Sequence, residues 1–288
     1  MSEVQILSGV QKMVEIWRFL DTGANNGFWN MAVDEAIFIT TKEKNLSPTL
    51  RFYRWRPSAV SIGYAQNVGE EVNLKECKRL KMDVVRRYTG GGAIFHDDEL
   101  TYSFISKTDG YQHFDDLLAS YKQVCWGIIK GLSELGISVK FREELHPRLN
   151  PSPTGGEGKR EGGKVPCFMA NSKHDLVVNE KKVLGNAQRR TKEVFLQQGS
   201  LPLSYNFNLI NRIFPGSNGF KNRATSISEI LDQEISLEEI KEKILFGFTS
   251  HFSVNFKEGT LSEEEQSLAR KLFKEKYSSP EWNNRVKT

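Results

Sequence analysis

Side chains able to act as nucleophiles, and backbone able to cradle a ligand, are few in this chain. There are three cysteines, Cys77, Cys125 and Cys167, and one run of three glycines at Gly90-Gly91-Gly92. Cys125 falls on the apolar face of a helical pattern and reads as a small buried residue. Cys77, in a charged helical stretch, is expected to be partly exposed and incidental. Cys167 sits at the seam between a proline- and glycine-rich stretch and a strand-like segment, fifteen positions before Lys182. A thiol there suits a covalent nucleophile, provided that its thiolate form is favoured. The glycine run lies in Arg86-Arg87-Tyr88-Thr89-Gly90-Gly91-Gly92-Ala93-Ile94-Phe95-His96-Asp97. Glycines between strands let the backbone approach a phosphate, a carboxyl group or an acyl chain closely, and the same run also serves as a tight turn with no ligand.

Composition narrows the classes. The three cysteines are too few and odd in number for a disulfide framework, and five histidines scattered without a paired motif offer no metal cluster. No structural metal is expected. A net charge of +4 is too mild to indicate nucleic acid. No apolar run approaches the roughly 20 residues of a membrane span. Met1 to Lys12 lacks the pattern of a signal peptide, so a cytoplasmic address is expected.

The elements that must position these residues read as strands interspersed with helices. Strand patterns occur at Trp17–Asp21, Thr49–Tyr53, Ala59–Gly63, Val84–Tyr88, Ala93–Phe95 and Glu99–Ser106. Helical patterns occur at Gly27–Thr40, with Asn25 and Asn26 as caps, and at Glu71–Lys81. The spacing of Phe114–Leu135 predicts a long helix ending at Gly136. Residues 147–166 have the composition of an exposed loop. Short strands resume at Leu176–Val178, Lys182–Ala187 and Val194–Ser200, the first two joined by a hairpin at Asn179-Glu180. Helices at Leu237–Phe248 and Ser262–Tyr277 close the chain. The expected organisation is a leader over 1–16, a catalytic domain over 17–250 and a helical extension over 251–288 packed on it.

The arginine- and glycine-rich string resembles the signature of the biotin and lipoate protein ligase superfamily. That resemblance implies an α+β fold of mixed sheets packed with helices, like the catalytic domains of biotin protein ligases and class II aminoacyl-tRNA synthetases. It implies a pocket for an acyl chain or acyl-adenylate formed by Arg87, Thr89, Gly90, Gly91, Gly92, Ala93, Phe95 and His96. Lys182-Val183-Leu184-Gly185-Asn186-Ala187-Gln188 is similar to the family's catalytic-lysine strand, which adds Gly185, Asn186 and Ala187 to that pocket. A lysine near such a pocket can donate to the carbonyl oxygen of a bound acyl group and stabilise the charge that develops on attack. Pro166-Cys167-Phe168-Met169-Ala170-Asn171-Ser172 looks like the octanoyltransferases of the LipM type, in which the cysteine carries the acyl group. Arg51-Phe52-Tyr53, Ser61-Ile62-Gly63-Tyr64 and Leu196-Gln197-Gln198-Gly199-Ser200 fit the same proteins. Gly92-Ala93 and Asp175 read more like the lipoate ligases.

The resemblance implies octanoyl transfer from octanoyl-acyl carrier protein, through a Cys167 thioester, to a lysine of a lipoyl-carrier protein. Acceptors of this kind are the glycine cleavage H protein and dehydrogenase E2 lipoyl domains. No cofactor is expected, because the thioester donor is already activated. The alternatives are an ATP- and Mg-dependent lipoate protein ligase and a non-catalytic protein that binds lipoyl domains. Tyr88, Ile94 and Phe95 are candidates for an acyl tunnel or for ordinary core. Arg86, Arg87, Arg189 and Arg190 are candidates to meet acidic carrier domains, or simply solvated charge.

Overall fold

The computed structural model describes residues 14–44, 46–145, 167–169 and 172–285. The loop expected over 147–166 and most of the expected leader lie outside the described residues.

The chain opens with β1 (Glu15–Asn25) and α1 (Gly27–Glu43), followed by β2 (Thr49–Trp55) and β3 (Ala59–Ile62). The Asn26 side chain accepts from the Trp29 amide at 2.8 Å, fixing where α1 begins. Between β2 and β3 the Arg56-Pro57 bond is cis. The helix expected over Glu71–Lys81 is instead two short pieces, α2 (Val68–Glu71) and α3 (Leu74–Arg79). Val72 is extended, and the Asn73 side chain caps the Glu76 amide, so the chain restarts its helix there. β4 (Asp83–Arg86) and β5 (Ile94–His96) flank the glycine run, and β6 (Glu99–Lys107) follows. α4 (Leu117–Ser133) starts three residues later than its apolar pattern predicts, because Asp116 caps the Ala119 amide. Phe114 leaves the helix to fill the core between Phe104 and Phe195.

Next come β7 (Lys140–Phe141), α5 (Arg142–Leu145), a single 3-10 turn over Cys167–Met169, β8 (Leu176–Val178), β9 (Lys181–Arg190) and β10 (Val194–Pro202). Asn179 and Glu180 both have positive φ, 48° and 67°, the left-handed pair that closes a two-residue hairpin between β8 and β9. The remainder is α6 (Phe207–Ile213), α7 (Phe220–Arg223), α8 (Ile227–Leu231), α9 (Leu237–Phe252), β11 (Val254–Glu258), α10 (Glu263–Leu272) and α11 (Pro280–Asn283). A π turn over Phe273–Tyr277 continues α10.

Eight strands form one sheet in the order β11-β1-β2-β6-β10-β9-β8-β7, and three form a second in the order β4-β3-β5. Both sheets are mixed: β1 runs parallel to β2 and β11, and β6, β10 and β9 pair antiparallel. The segment after residue 250 therefore supplies an edge strand as well as helices. One face of the large sheet packs on α4 and α9 through an apolar cluster centred on Phe104, Phe114 and Phe248. The opposite face packs on α1 and α10 through Leu20, Ile37, Leu196 and Ala269. This is the α+β arrangement expected.

Cys77 differs from its expectation. It is 1% exposed, inside the cluster of Val60, Ile62 and Val68, and burial pushes its thiol up to about 11. The charged residues of α3 lie on its outer face, and the cysteine is the one residue of that helix turned inward.

Candidate active site

β9 carries the lysine. In a regular strand, Lys182 and Gly185 would point to opposite faces, because an odd separation inverts direction. The pairing with β8 shifts between Leu176 opposite Leu184 and Val177 opposite Lys182, leaving one extra residue on β9. That irregularity brings Lys182 and Gly185 to the same ring: the Lys182 ammonium lies 5.7 Å from the centre of Phe168. The edge of Phe168 comes within 3.1 Å of where a Cβ on Gly185 would sit. A larger residue at 185 would displace Phe168, and with it the turn that Cys167 opens. The Cys167 side chain itself is outside the described residues.

Lys182 is 4% exposed, and its Nζ stands 2.7 Å from Asp175 Oδ1. Asp175 Oδ2 accepts from the Ser172 amide at 2.7 Å, and Arg142 Nε lies 4.0 Å away. His174 is half-buried, with Nδ1 3.4 Å from Glu143; burial, opposed by Glu143, lowers its pKa.

The glycine run bulges out between β4 and β5 and is exposed only at Gly91, whose φ is +88°. It is held from inside. Arg87 Nη2 donates to the carbonyls of Gly90 and Gly92 at 2.8 and 2.9 Å, and Nη1 donates to the carbonyl and Oγ of Ser61. Ser61 Oγ lies 2.5 Å from His96 Nε2, and His96 Nδ1 lies 2.8 Å from Glu99. His96 thus bridges the Ser61 hydroxyl and the Glu99 carboxylate, one ring nitrogen to each. Glu99 accepts also from Thr101 and Ser200. Burial would raise its pKa, but the charge and hydrogen bond of His96 and the two hydroxyls bring it below the usual value. Trp55 stacks on His96 at 3.9 Å and 11°, closing the other side. Thr89 donates to Gln198, which donates to Asp34, the carboxylate paired with Arg51 at 2.5 Å.

Between the run and β9 lies a narrow, mostly apolar cavity. Its walls include Ile94 and His96 from β5, Gly185 and Ala187 from β9, and Met31 from α1. Ala187 Cβ comes within 3.6 Å of where a Cβ on Gly91 would be, so the two motifs meet directly. Thus Arg87, His96, Gly185 and Ala187 line one space, with Thr89, Gly90, Gly91, Gly92 and Ala93 in the loop beside it. Two expected pocket residues face elsewhere. Phe95 packs in the cluster with Val60 and Val68, and Asn186 turns to α4, donating to Cys125 Sγ at 3.3 Å and accepting from Tyr102. Strand alternation explains both, since each sits next to a cavity-facing neighbour. Tyr88 packs edge-on against Phe38.

Arg86 and Arg87 are not surface charge. Arg86 is fully buried and donates to six backbone carbonyls, from Gly63, Tyr64, Gln66, Trp282, Asn283 and Arg285. Desolvation lowers it to about 10. Arg190 donates to the carbonyls of Phe114 and Asp115, and Arg189 lies over the rings of Tyr64 and Tyr88. Residues missed in the sequence are Asp175 as partner of Lys182, and Met31, Tyr53, Trp55, Thr101, Gln198 and Ser200 as cavity walls. Tyr53 and Trp55, two positions apart on β2, carried the signal for part of the wall. Among the described residues, no group of three or more His, Cys, Asp or Glu is placed to hold a metal ion.

Residues 26–249 match the lipoyl protein ligase A/B catalytic domain. The chain is 38% identical to the octanoyltransferase LipM of Brevibacillus brevis, over 94% of this chain and all of that one. The chain belongs to the LipM-type octanoyltransferases. It is an acyltransferase by that membership, although its fold is shared with ligases. A lipoate-protein ligase A solved with bound ATP superposes with a TM-score of 0.77 at 28% identity, covering 93% of this chain and 98% of that one. The bipartite lipoate protein ligase and E2 lipoyl domain system of Thermoplasma acidophilum gives a TM-score of 0.76 at 25% identity, covering 95% of this chain and 99% of that one. No helix among the described residues is long and apolar enough to cross a membrane.

Proposed function

We propose that this octanoyltransferase moves an octanoyl group from octanoyl-acyl carrier protein to a lysine of a lipoyl-carrier protein by way of a Cys167 thioester. The acceptor class is the glycine cleavage H protein or an E2 lipoyl domain, and the address is cytoplasmic. The observation that carries this reading is the buried Lys182 ammonium, which shares the Phe168 ring with cavity-lining Gly185, one residue from Cys167 in sequence.

The Cys167 thiolate attacks the carbonyl carbon of the donor thioester. The tetrahedral oxyanion takes hydrogen bonds from Lys182, and the carrier's thiolate leaves as the new carbon–sulfur bond is kept. The acceptor lysine then attacks the enzyme thioester as a neutral amine. The bond to Cys167 breaks, an amide forms, and the proton lost from the amine balances the thiolate released. Both steps start from an activated thioester, so neither ATP nor a metal is needed. The cavity holds the chain and excludes water, which limits hydrolysis of the acyl-enzyme.

Transfer assays with two donors test this. With octanoyl carrier protein and no nucleotide, the wild type should octanoylate an acceptor domain and Cys167→Ser should not. Equal modification by both proteins, dependent on lipoate and ATP, would instead support the ligase.

A further inference from the structure

We propose that Asp175 is a positioning residue for Lys182, fixing the ammonium at the cavity wall and keeping it protonated during acyl transfer. The inference rests on the transfer reading above and assigns a role that the lysine and cysteine alone leave open.

Both side chains are about 95% buried, and their contact is short. A buried ion pair is weak evidence of stabilisation, because the cost of desolvating two charges offsets most of their attraction. The geometry points to orientation instead. The hairpin turn at Asn179-Glu180 sets Val177 opposite Lys182, which places Asp175 diagonally across from the lysine. The Ser172 amide fixes the second carboxylate oxygen, so the carboxylate cannot rotate freely.

The groups packed around the pair leave Asp175 as the anion in contact with Lys182 among the described residues. From α4, Tyr121 and Cys125 face Asp175, and burial holds both protonated and neutral. From α5, Arg142 lies at 4.0 Å, and Glu143 is occupied by Lys122 at 2.6 Å and by His174. Phe168 offers the face of its ring. A buried lysine without a counter-charge sheds its proton, and a neutral amine is a weaker donor to an oxyanion. One N–H of the ammonium directed at Asp175 also fixes the directions of the others.

The experiment measures kcat/KM for octanoyl transfer against pH in the wild type, Asp175→Asn and Asp175→Glu, with Tm for each. A side-chain NMR titration of Lys182 in the wild type accompanies it. Asp175→Asn should lose at least tenfold in kcat/KM at neutral pH, and its alkaline limb should move to lower pH. Asp175→Glu should recover most of both. Lys182 should still be protonated at the pH of maximal transfer. A uniform loss at every pH with an unmoved limb would reduce Asp175 to a structural residue and overturn the proposal. So would a neutral Lys182 in the wild type at that pH, a result that needs no variant to fold. Absence of transfer from any octanoyl thioester by the wild type would instead sink the acyl-transfer reading, while the lysine titration would still decide the role of Asp175.

Discussion

Replacing Gly63 by alanine should damage the site more than its size suggests. A Cβ at position 63 would lie 2.0 Å from the Gly91 carbonyl oxygen, 2.9 Å from its carbon and 3.1 Å from the Gly90 carbon. Ordinary contact begins near about 3.5 Å, so the loop must retreat by roughly 1.5 Å at that oxygen. It has little freedom to do so. Tyr64 donates to the Thr89 carbonyl, Arg87 donates to the Ile62 carbonyl, and the Arg87 guanidinium pins Gly90 and Gly92. Overpacking of this kind costs about 1–3 kcal/mol in stability. A shift of about 1 Å in a positioning element can cost about 100-fold in rate. Urea unfolding followed by tryptophan fluorescence, with kcat/KM for octanoyl transfer measured on the folded protein, separates the two effects. Gly69→Ala is the control, because its added Cβ meets only the Asn67 side chain at 3.9 Å. Gly63→Ala folded and transferring within twofold of wild type would refute the claim that the two turns are locked together.

Other consequences can be checked separately. Asp34→Ala leaves the Arg51 guanidinium buried without its partner at 2.5 Å and removes the acceptor of Tyr53, Ser103 and Gln198. It should cost about 3–5 kcal/mol in denaturant unfolding. Glu99 has a folded pKa below its unfolded value, so its contribution to stability is complete above the unfolded value, near about 4.3. That contribution is lost as pH falls through the folded value. Stability measured against pH should therefore drop less steeply in acid for Glu99→Gln than for wild type. Burial raises the thiols of Cys77 and Cys125, so iodoacetamide at neutral pH should leave both unmodified in the native protein and label both in urea. Native labelling at either position would mean that its helix opens.

Much of this architecture was legible in the sequence because periodicity and burial agree. β6 is apolar on alternating positions, β10 opens on the apolar run Val194-Phe195-Leu196, and the hairpin at Asn179-Glu180 is where two strand patterns leave a two-residue gap. The glycine run and the Lys182 strand, each picked out by its motif, meet at one cavity. What escaped reading was everything set by irregular backbone or by burial of charge. The shift on β9 that turns Lys182 toward Phe168 has no signature in composition. Asp175 looked like a family departure, and only the hairpin geometry makes it the partner of the lysine. Arg86 and Arg87 read as charge available to a partner, yet both donate to backbone carbonyls, Arg87 also to the Ser61 hydroxyl, which no side-chain pattern announces. Cys77 was hidden by charged neighbours on the outer face of the same short helix.

The central claim is that the acyl group passes through a bond to Cys167. Intact-mass spectrometry of the purified protein mixed with octanoyl carrier protein, before any acceptor is added, measures this directly. The wild type should gain the mass of one octanoyl group, lose it to hydroxylamine or to an acceptor domain, and gain nothing when Cys167→Ala is substituted. An acceptor domain octanoylated at undiminished rate by Cys167→Ala, or an adduct that persists in that variant, would contradict the account.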